Sequence, residues 1–593
     1  MTRSGARNRG ARNCSGVVLG LGALLAIHPV TAGRSPFPDD LPPSTSGPTS
    51  LAFSPDGRRA AVTLADNNSV AVIDTATRRL VAEIPTGGAQ PDGLAFLSAS
   101  QLLVSNQYDG TASLLDVSAK KSISRVRLPG GPAGVVVDHR ANCAYIAISQ
   151  LNQVVRLGLP RLEERGRLTV GRRPLRMELS ADGTLLFVAG SQDGSVMPIS
   201  TTSFTSLEPI QLTGINVRGL SLAPGGTTAY ATGQIPANTR VTREPLDIWT
   251  NTVFAIDLRP KAVARSAEGW IDFTGAPSPD PAGVAALSED RAIVALSGSD
   301  EVLQLRAPKP RMRTYDPVIT RRVRVGFQPS DVRLSPDRRE VWVTEHLGSS
   351  IAILDAETLG PRGRIRVPAA AADDLRMPGR YLFGSARLTR GGQFSCNSCH
   401  PGLNTDGLTW QFVHVPDGMQ KRNSRNLRGG VNQTAPFRWS GHDAEIEQFF
   451  QEEITGLLGG EAQPHPVLHA LWNLIERSPM PPSPHRSTDG ALTAPGKRGK
   501  VLFNGKAGCG GCHMGSMWGG TGNQAHVGTT LNGKPLDVPH LKGAYDTAPY
   551  LHDGRALTLE SVFEQHNAAR LHGKAAELSP SELADLLAFV RQL

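Results

Sequence analysis

The sequence predicts a multidomain protein in which a seven-bladed, all-β propeller precedes a mainly α region. Two observations support this prediction. Strand-like strings recur with a period in the low forties between residues 45 and 366, which is the spacing of propeller blades. Two strings with the same spacing of two cysteines and a histidine then lie in residues 380–593, where helix and loop patterns rich in Gly and Pro replace the repeat.

Each repeat opens with a turn that begins with Pro or Asn. An apolar strand follows, then often a turn similar to Pro-Asp-Gly, and then two further short strands. Asp and Gly suit such turns because of the backbone angles that the turns require. Seven repeats predict seven blades, closed so that no sheet edge stays open. The repeats begin at Pro48, Pro91, Pro132, Pro174, Asn216, Pro281 and Pro329.

The step between the fifth and sixth repeats is longer and indicates an insertion, roughly residues 234–279, which contains Trp249 and Trp270. We expect this insertion to cover the channel mouth or to face the C-terminal region. Strings such as residues 69–74 and 350–355 resemble the YVTN-type propeller repeats of exported bacterial proteins. Such a repeat implies an architecture and no particular chemistry.

The N-terminus is typical of a secretory signal peptide, residues 1–32. Four arginines precede an apolar run at residues 17–27, and Val30-Thr31-Ala32 supplies a small-residue cleavage site. The run is too short to span a bilayer comfortably, and no later segment approaches about 18 apolar residues, so no membrane span is predicted in the mature chain. A retained N-terminal anchor is the alternative. Cys14 precedes the apolar run, which argues against a lipoprotein cleavage site.

The charge of the chain is mildly basic. Its formal net charge of +9 falls to about +5 without the four arginines of the signal, which is too weak and too dispersed to indicate nucleic-acid binding. A basic surface would suit an acidic redox partner, although ordinary solvated charge explains it as well. Cys143 lies in a strand-like string and is expected to be a buried thiol.

The two cysteine–histidine strings are haem-attachment motifs of the type C-x-x-C-H. The two thiols add to the vinyl groups of one haem, and the adjoining His binds the iron as its proximal ligand. A single copy could also be a zinc half-site or a disulfide, but two copies in an exported chain favour two covalently bound c-type haems and a periplasmic location. The first motif is Cys396, Cys399 and His400, and the second is Cys509, Cys512 and His513.

A linker rich in Ala, Pro and Gly, residues 367–379, leads into the haem region, 380–593. We divide this region into a first unit, about 380–490, and a second, about 491–593. A short amphipathic helix at 496–503 precedes the second motif, and Ser579-Pro-Ser-Glu582 is a capping box that begins a C-terminal helix. Helices in these positions resemble a small cytochrome c fold, present here twice in tandem.

The haem region resembles the bacterial di-haem cytochrome c peroxidase family, which includes the MauG-type protein-oxidising enzymes. The resemblance covers about 210 residues and rests on residues 422–424 (Arg-Asn-Ser), 437–441 (Phe-Arg-Trp-Ser-Gly) and 547–555 (Thr-Ala-Pro-Tyr-Leu-His-Asp-Gly-Arg). It implies that the N-terminal haem is the peroxide site and that the C-terminal haem stores and relays electrons.

The resemblance also implies distal haem ligands. In the family, the ligand of the C-terminal haem, commonly a Met, follows the His of the His-Asp-Gly motif by fourteen residues; counting from His552 gives His566. A His there usually lowers the haem potential, and an ordinary helix-surface His is the alternative. For the N-terminal haem, His414 is the candidate for a releasable distal ligand, and His442 is its rival.

Cleavage of the O–O bond needs a distal acid/base that moves a proton between the peroxide oxygens. The family uses a Gln and, ten residues later, a Glu, both of which follow its Trp-x-Gly motif. Gln451 and Glu461 keep that separation, but they lie two residues further from Trp439 than the family pattern places them. Glu453 is the alternative Glu, and a solvated helical face is the alternative for all three. Trp439 matches the family Trp placed between the haems.

A calcium ion at the interface of the two haem units is implied as well. Asn423, Thr547 and Pro549 match the positions whose oxygens hold that ion in the family. Side-chain amide and carbonyl oxygens, completed by waters, suit a hard cation.

The leading hypothesis is a periplasmic di-haem enzyme that reduces hydrogen peroxide to water with electrons from a small cytochrome or cupredoxin. A MauG-like oxidase is the first alternative, in which the propeller docks a partner protein as the substrate. The second alternative is a non-catalytic electron-transfer module in which two His ligands hold each haem iron.

Overall fold

The structure is a computed structural model, and all of the elements described below lie in one compact unit, residues 40–593. The predicted signal peptide, 1–32, and Cys14 lie outside the described residues. The described ranges are 37–236, 240–241, 248–259, 266–272, 275–307, 314–315, 317–412, 421–520, 522–528 and 534–593.

Seven antiparallel sheets in the described chain form the blades of a propeller, which confirms the predicted fold class. In each blade the main strands pair in sequence order, as hairpin connections dictate. Six of the seven predicted blade starts coincide with the first residue of a blade, and the fifth differs by one residue. The strands of the first four blades are β1 (Pro48–Phe53), β2 (Arg59–Leu64), β3 (Ser69–Asp74), β4 (Arg79–Pro85); β5 (Pro91–Ser98), β6 (Gln101–Asn106), β7 (Thr111–Asp116), β8 (Lys121–Arg127); β9 (Pro132–Asp138), β10 (Cys143–Ile148), β11 (Gln153–Gly158), β12 (Glu163–Thr169); β13 (Pro174–Leu179), β14 (Leu185–Gly190), β15 (Ser195–Ser200), β16 (Thr205–Ser206) and β17 (Ile210–Gln211).

The last three blades follow the same plan, with two short additional strands. Strand β26 pairs in parallel with the outer strand of the fifth blade, and β20 pairs in parallel with a strand of the C-terminal region. The strands are β18 (Ile215–Leu222), β19 (Thr228–Pro236), β20 (Arg240–Val241), β21 (Trp249–Asp257), β22 (Ser266–Trp270); β23 (Pro281–Ser288), β24 (Arg291–Leu296), β25 (Glu301–Arg306), β26 (Thr314–Tyr315), β27 (Val318–Arg324); β28 (Pro329–Leu334), β29 (Glu340–Glu345), β30 (Ser350–Asp355) and β31 (Pro361–Arg366).

The first and last blades close the ring through packing and hydrogen bonds. Leu51 of blade one and Trp342 of blade seven belong to the same buried apolar cluster. The amide of Leu51 donates to Oδ2 of Asp331 at 3.0 Å, and Oγ1 of Thr45 donates to the carbonyl of His346 at 2.7 Å. Closure in this way leaves neither terminal blade with an unpacked apolar face.

The long fifth repeat is only partly an insertion. Its residues 249–257 and 266–270 are the two outer strands of the blade, β21 and β22, and the extra length lies mainly between β19 and β21. Trp249 begins β21 and is fully buried, whereas Trp270 ends β22 and is exposed. Trp249 of this blade lies against Cys399 of the first attachment motif.

The C-terminal region is mainly helical, as predicted. Helix α1 begins inside the predicted linker because Pro378 occupies its first turn, where proline is tolerated. Short 3-10 turns connect many of the elements. The helices and strands are α1 (Met377–Gly384), α2 (Cys396–Cys399), β32 (Thr409–Phe412), β33 (Lys421–Asn423), α3 (Ile446–Glu452), a π turn (Glu453–Leu457), α4 (His465–Glu476), α5 (Ala494–Asn504), β34 (Gln524–Ala525), β35 (Leu536–Asp537), α6 (Leu559–Glu564) and α7 (Pro580–Val590).

Helices α5 and α7 frame the second attachment motif. The predicted capping box begins α7: Oγ of Ser579 accepts from the amide of Glu582, whose carboxylate accepts from the amide of Ser579. Phe503 of α5 and Phe589 of α7 pack edge to face at 5.3 Å in a shared apolar cluster. Gly499 permits the close crossing, because a Cβ there would lie 1.9 Å from the carbonyl oxygen of Asp585.

Among the described residues, no helix combines the length and the apolar character needed to cross a membrane.

We predict that Gly499→Ala destabilises the α5–α7 pair. The added methyl group meets backbone, which cannot rotate away, so the free energy of unfolding should fall by about 1–3 kcal/mol. Denaturant unfolding of the holoprotein measures this change. Gly496→Ala is the matched control, because the three atoms nearest to its methyl group all belong to the Gln592 side chain, which can shift more easily than backbone, so the cost should be smaller. Equal losses in the two variants would contradict the proposed backbone contact.

Candidate functional site

The first attachment motif forms a single helical turn, α2, with a capping box at its start. Oγ of Ser395 accepts from the amide of Asn397 at 3.1 Å, and Oγ of Ser398 accepts from the amide of Ser395 at 3.1 Å. Residues three apart share one face of a helix, so Cys396 and Cys399 point to the same side. The amide of His400 closes the turn by donating to the carbonyl of Cys396 at 2.9 Å.

Side chains of the propeller hold this turn in place. The buried carboxylate of Asp280 accepts from the hydroxyl of Ser398 at 2.8 Å and also from that of Ser395. Nδ2 of Asn216 donates to the carbonyl of Ser398 at 2.7 Å, and Nε2 of Gln234 donates to its hydroxyl at 3.2 Å. The two serines therefore serve the propeller interface as well as the capping box.

An aromatic pair lies beside the first motif. Nε1 of Trp249 is 3.4 Å from Sγ of Cys399, and the Trp249 ring packs edge to face on Trp410 with centroids 5.0 Å apart. Nε1 of Trp410 donates to the carboxylate of Asp406 at 2.8 Å. Burial raises the pKa of Asp406 to about 6. Trp249, within the predicted insertion, thus lies against the C-terminal region, which was one of the two expected positions.

The imidazole of His400 is suited to bind a metal. Burial lowers its pKa to about 4, which keeps the ring neutral, and the neutral ring is the form that ligates metals. Of the two candidate distal ligands, His414 lies outside the described residues and His442 is exposed. The distal ligand at this motif therefore stays a prediction.

The second attachment motif follows α5. Nδ1 of His513 lies 3.2 Å from the carbonyl oxygen of Trp518 and 3.1 Å from that of Pro539. These contacts assign the ring proton to Nδ1 and leave Nε2 as the ligating nitrogen, the arrangement common among metal-binding histidines.

A cavity of about 280 Å³ adjoins the second motif. Its walls combine the two thiols and the imidazole of the motif with mostly apolar side chains from α5, α6, α7 and the loops between them. This composition suits a haem, whose macrocycle is apolar. The lining includes Trp439, Phe503, Cys509, Cys512, His513, Val538, Tyr550, Leu559, Val562, Phe563, His572, Leu586 and Val590.

His572 faces His513 across this cavity. The two ring centroids are 6.4 Å apart, with an angle of 30° between the ring planes. Because imidazole nitrogens lie about 2 Å from a bound metal, this separation leaves room for one iron between the rings. Asn567 holds the loop that carries His572: its Oδ1 accepts from the amide of His572 at 3.0 Å, and its Nδ2 donates to the carbonyl of that residue at 3.2 Å.

The predicted distal ligand His566 does not line this cavity. Helix α6 ends at Glu564, and the amide of His566 donates back to the carbonyl of Ser561 at 3.1 Å, as part of the helix end. The count of fourteen residues from His552 misses His572 because the loop closed by Asn567 continues beyond the counted position. His572, and not His566, therefore lies at this cavity.

The acid/base candidates lie in different surroundings. Glu461 is exposed, and Oε1 of Gln451 accepts from the amide of Gln463 at 3.2 Å. Glu453 is ion-paired with Arg438, and burial raises its pKa. Burial, followed by the negative charge of Glu453, raises the pKa of the Cys396 thiol to about 12, which indicates that the Glu453 carboxylate lies near the first motif.

Trp439 and the proposed calcium ligands lie together at the second cavity. Nε1 of Trp439 donates to the carbonyl of Asn423 at 3.1 Å, and its ring is 6.3 Å from that of His552. Asn423, Thr547 and Pro549 all line the cavity, and Nδ2 of Asn423 donates to the carbonyl of Pro549. Oδ1 of Asn423 is buried without a hydrogen-bond partner among the described residues, as expected of an oxygen that would hold a cation.

The propeller also contacts this second area. Arg173 of blade four forms a 2.9 Å ion pair with Asp546, and Nη2 of Arg172 donates to the carbonyl of Ala548 at 2.9 Å. Nδ2 of Asn404, which follows the first motif, also donates to Oδ2 of Asp546 at 3.0 Å. Asp546 thus connects the propeller, the first motif and the segment that carries Thr547.

We predict that Asp280→Ala loosens the first motif. The substitution removes the acceptor for two serine hydroxyls and leaves Arg218, 3.4 Å from Asp280, without this partner, so unfolding should require about 2–4 kcal/mol less. Hydrogen exchange of residues 395–400 in the holoprotein should accelerate. Asp290→Ala, on the same blade but bonded to Ser288 and Arg306, should leave that exchange unchanged. Unchanged exchange in Asp280→Ala would contradict the anchoring role.

Several known proteins are similar to parts of this chain. The family model described as "Cytochrome c" matches residues 496–593. The chain is 28% identical over 323 residues to "Methylamine utilization protein MauG" of Methylorubrum extorquens, covering 42% of this chain and 90% of the relative. It is 25% identical over 282 residues to "Cytochrome c551 peroxidase" of Pseudomonas aeruginosa, covering 37% and 79%.

A third relative has a different name. "Hydrazine synthase subunit gamma" of Kuenenia stuttgartiensis is 28% identical over 272 residues, covering 36% of this chain and 76% of the relative. Together with the two attachment motifs and the seven blades, these matches show a c-type haem oxidoreductase region, similar to MauG and the cytochrome c peroxidases, fused to a β-propeller.

Proposed function

We propose that the protein reduces hydrogen peroxide, with one haem at each attachment motif. The overall reaction is H2O2 + 2 H⁺ + 2 e⁻ → 2 H2O, and the two electrons arrive singly from a small cytochrome or cupredoxin. The observation that carries this proposal is the difference between the two motifs: imidazoles face each other across the second cavity, whereas a carboxyl group with a raised pKa lies near the first.

The residues at both motifs fit c-type haem. Each motif offers two thiols and a neutral imidazole, and the cavity at the second motif is bounded by His513 and His572. When bound, the haem supplies a redox-active iron that exchanges single electrons and, where an axial position is open, takes up peroxide. We propose that His572, together with His513, would hold the haem at the second motif, in place of His566.

Glu453 is our choice of acid/base at the first motif. Its raised pKa suits a group that accepts a proton from one peroxide oxygen and returns it to the other, because such a group works best when its pKa is near the operating pH. Arg438 holds the carboxylate through an ion pair. Gln451 and Glu461 keep the separation of the family pair, but Glu461 is exposed and Oε1 of Gln451 already accepts from the amide of Gln463.

Trp439 is proposed to assist electron passage between the two motifs. It lines the second cavity, and its indole N–H is fixed on the backbone of Asn423. We further propose that Asn423, Thr547 and Pro549 hold one calcium ion there, since the unpartnered oxygen of Asn423 meets the preference of a hard cation.

The MauG-like alternative assigns the propeller to docking of a substrate protein. The propeller surface that carries Asn216 and Gln234 of the fifth blade, and Asp280 at the start of the sixth, is already covered by the first motif of the same chain. A docked protein would therefore need another surface of the propeller. The electron-relay alternative requires that the distal ligand at the first motif, for which His414 and His442 are the candidates, never leaves the haem iron.

We also propose that the protein is exported to the periplasm. The proposal is supported by the signal-like residues 1–32 and by the c-type motifs, because thioether attachment of haem takes place outside the bacterial cytoplasm.

We predict that His572 and not His566 sets the spin state of the haem at the second motif. In the oxidised holoprotein, His572→Ala should convert one low-spin EPR signal to high-spin, because the iron loses an axial nitrogen. His566→Ala is the control and should leave the spectrum unchanged. A high-spin signal in His566→Ala together with an unchanged spectrum in His572→Ala would overturn the assignment.

We predict that Glu453→Gln slows peroxide reduction by about 100-fold or more, the usual contribution of a positioned proton carrier. Stopped-flow oxidation of the one-electron-reduced holoprotein by peroxide measures this rate. Glu461→Gln should react at the wild-type rate, and haem content should be equal in both variants. A wild-type rate in Glu453→Gln together with a slow reaction in Glu461→Gln would contradict the choice of Glu453 and identify Glu461, the residue at the family spacing, as the acid/base.

A further inference from the structure

We infer that Glu447, His465 and His469 form a binding site for a divalent transition-metal ion of the zinc class, separate from the haem-attachment motifs. His465 and His469 stand one turn apart at the start of α4, and Glu447 lies on the neighbouring α3. One potential ligand atom from each residue lies within 4.8 Å of the others. The inference rests on these residues alone and is independent of the proposed peroxidase function.

The contacts within the group favour a metal. Oε2 of Glu447 lies 2.8 Å from Nδ1 of His465, and the two imidazole rings are 5.5 Å apart at 30°. Nδ1 of His469 is buried without a hydrogen-bond partner among the described residues. The ring of Trp472 packs edge to face on His469 at 5.0 Å, which limits the orientations that the imidazole can adopt.

The donor set determines the class of ion. Two imidazole nitrogens and one carboxylate oxygen are the ligands of open zinc sites, in which water completes the coordination. The side chain of His465 is 71% exposed, so a metal here would keep contact with solvent. Calcium prefers six to eight oxygen ligands, so these imidazoles exclude it as the matching ion.

A second group of similar residues is less suited to a cation, because an arginine already compensates the charge of its carboxylates. His442, Asp443 and Glu452 also bring their ligand atoms within 4.8 Å of one another. Arg438 forms ion pairs with both of these carboxylates, which already compensates their charge and disfavours a cation. Glu447, by contrast, has no Lys or Arg ion-pair partner in the described part of the chain, where its one ion-pair partner is His465.

The position of the site connects it to the first motif. Helix α3 continues directly into the π turn that begins with Glu453, and Gln451 near its end is bonded to the segment that leads into α4. A metal bound between α3 and α4 would fix the spacing of the two helices. We therefore expect it to stabilise this part of the fold.

The test is isothermal titration of the full-length holoprotein with Zn²⁺ after treatment with EDTA. We expect one equivalent to bind and to raise the unfolding temperature. In Glu447→Gln and His469→Gln the dissociation constant should rise at least tenfold, and the rise in unfolding temperature should disappear. His465→Gln, at an exposed position that should not affect folding, should behave in the same way.

His442→Gln is the matched control and should bind Zn²⁺ as the wild type does. Loss of binding in His442→Gln with normal binding in the other variants would assign the ion to the second group and overturn the inference. Absence of saturable binding in the wild type, or displacement of Zn²⁺ by an equal concentration of Ca²⁺, would also overturn it.

Discussion

The buried carboxylate of Asp280 is the contact on which the arrangement of the haem region depends. It accepts hydrogen bonds from Ser395 and Ser398, the two serines that also cap the turn carrying Cys396 and Cys399. A buried carboxylate is costly unless donors surround it, so the propeller and the motif stabilise each other. The propeller is thus part of the surroundings of the first motif and not only an appended platform.

A second carboxylate, that of Asp546, connects the propeller to the area of the second motif. Asp546 receives Arg173 from the propeller and Asn404 from the segment after the first motif, and it directly precedes the segment proposed to hold calcium. Residues of three regions therefore converge on one carboxylate. Because residues in one polar network act together, substitutions here should affect both motifs and the interface with the propeller.

Most of the fold could be predicted from local sequence patterns, whereas the features that were not predicted depend on long-range contacts. Blade starts such as Pro48 and Pro329 were predictable because turn chemistry repeats with the blade, and the capping box at Ser579 because its signal is confined to four residues. Asp280 could not be predicted, since its partners lie more than a hundred residues away. The position of His572 opposite His513 could not be predicted either, because a spacing rule cannot register the bond between Asn567 and the loop that positions this imidazole.

The central claim is that one haem is closed by two imidazoles while the other opens to peroxide. EPR and visible spectra of the full-length holoprotein, recorded fully oxidised, after one-electron reduction and after one equivalent of peroxide, test it most directly. We expect a high-spin signal to develop on half-reduction and peroxide to remove it rapidly. Low-spin signals from both haems at every stage, with no rapid change on adding peroxide, would contradict the account and favour an electron relay.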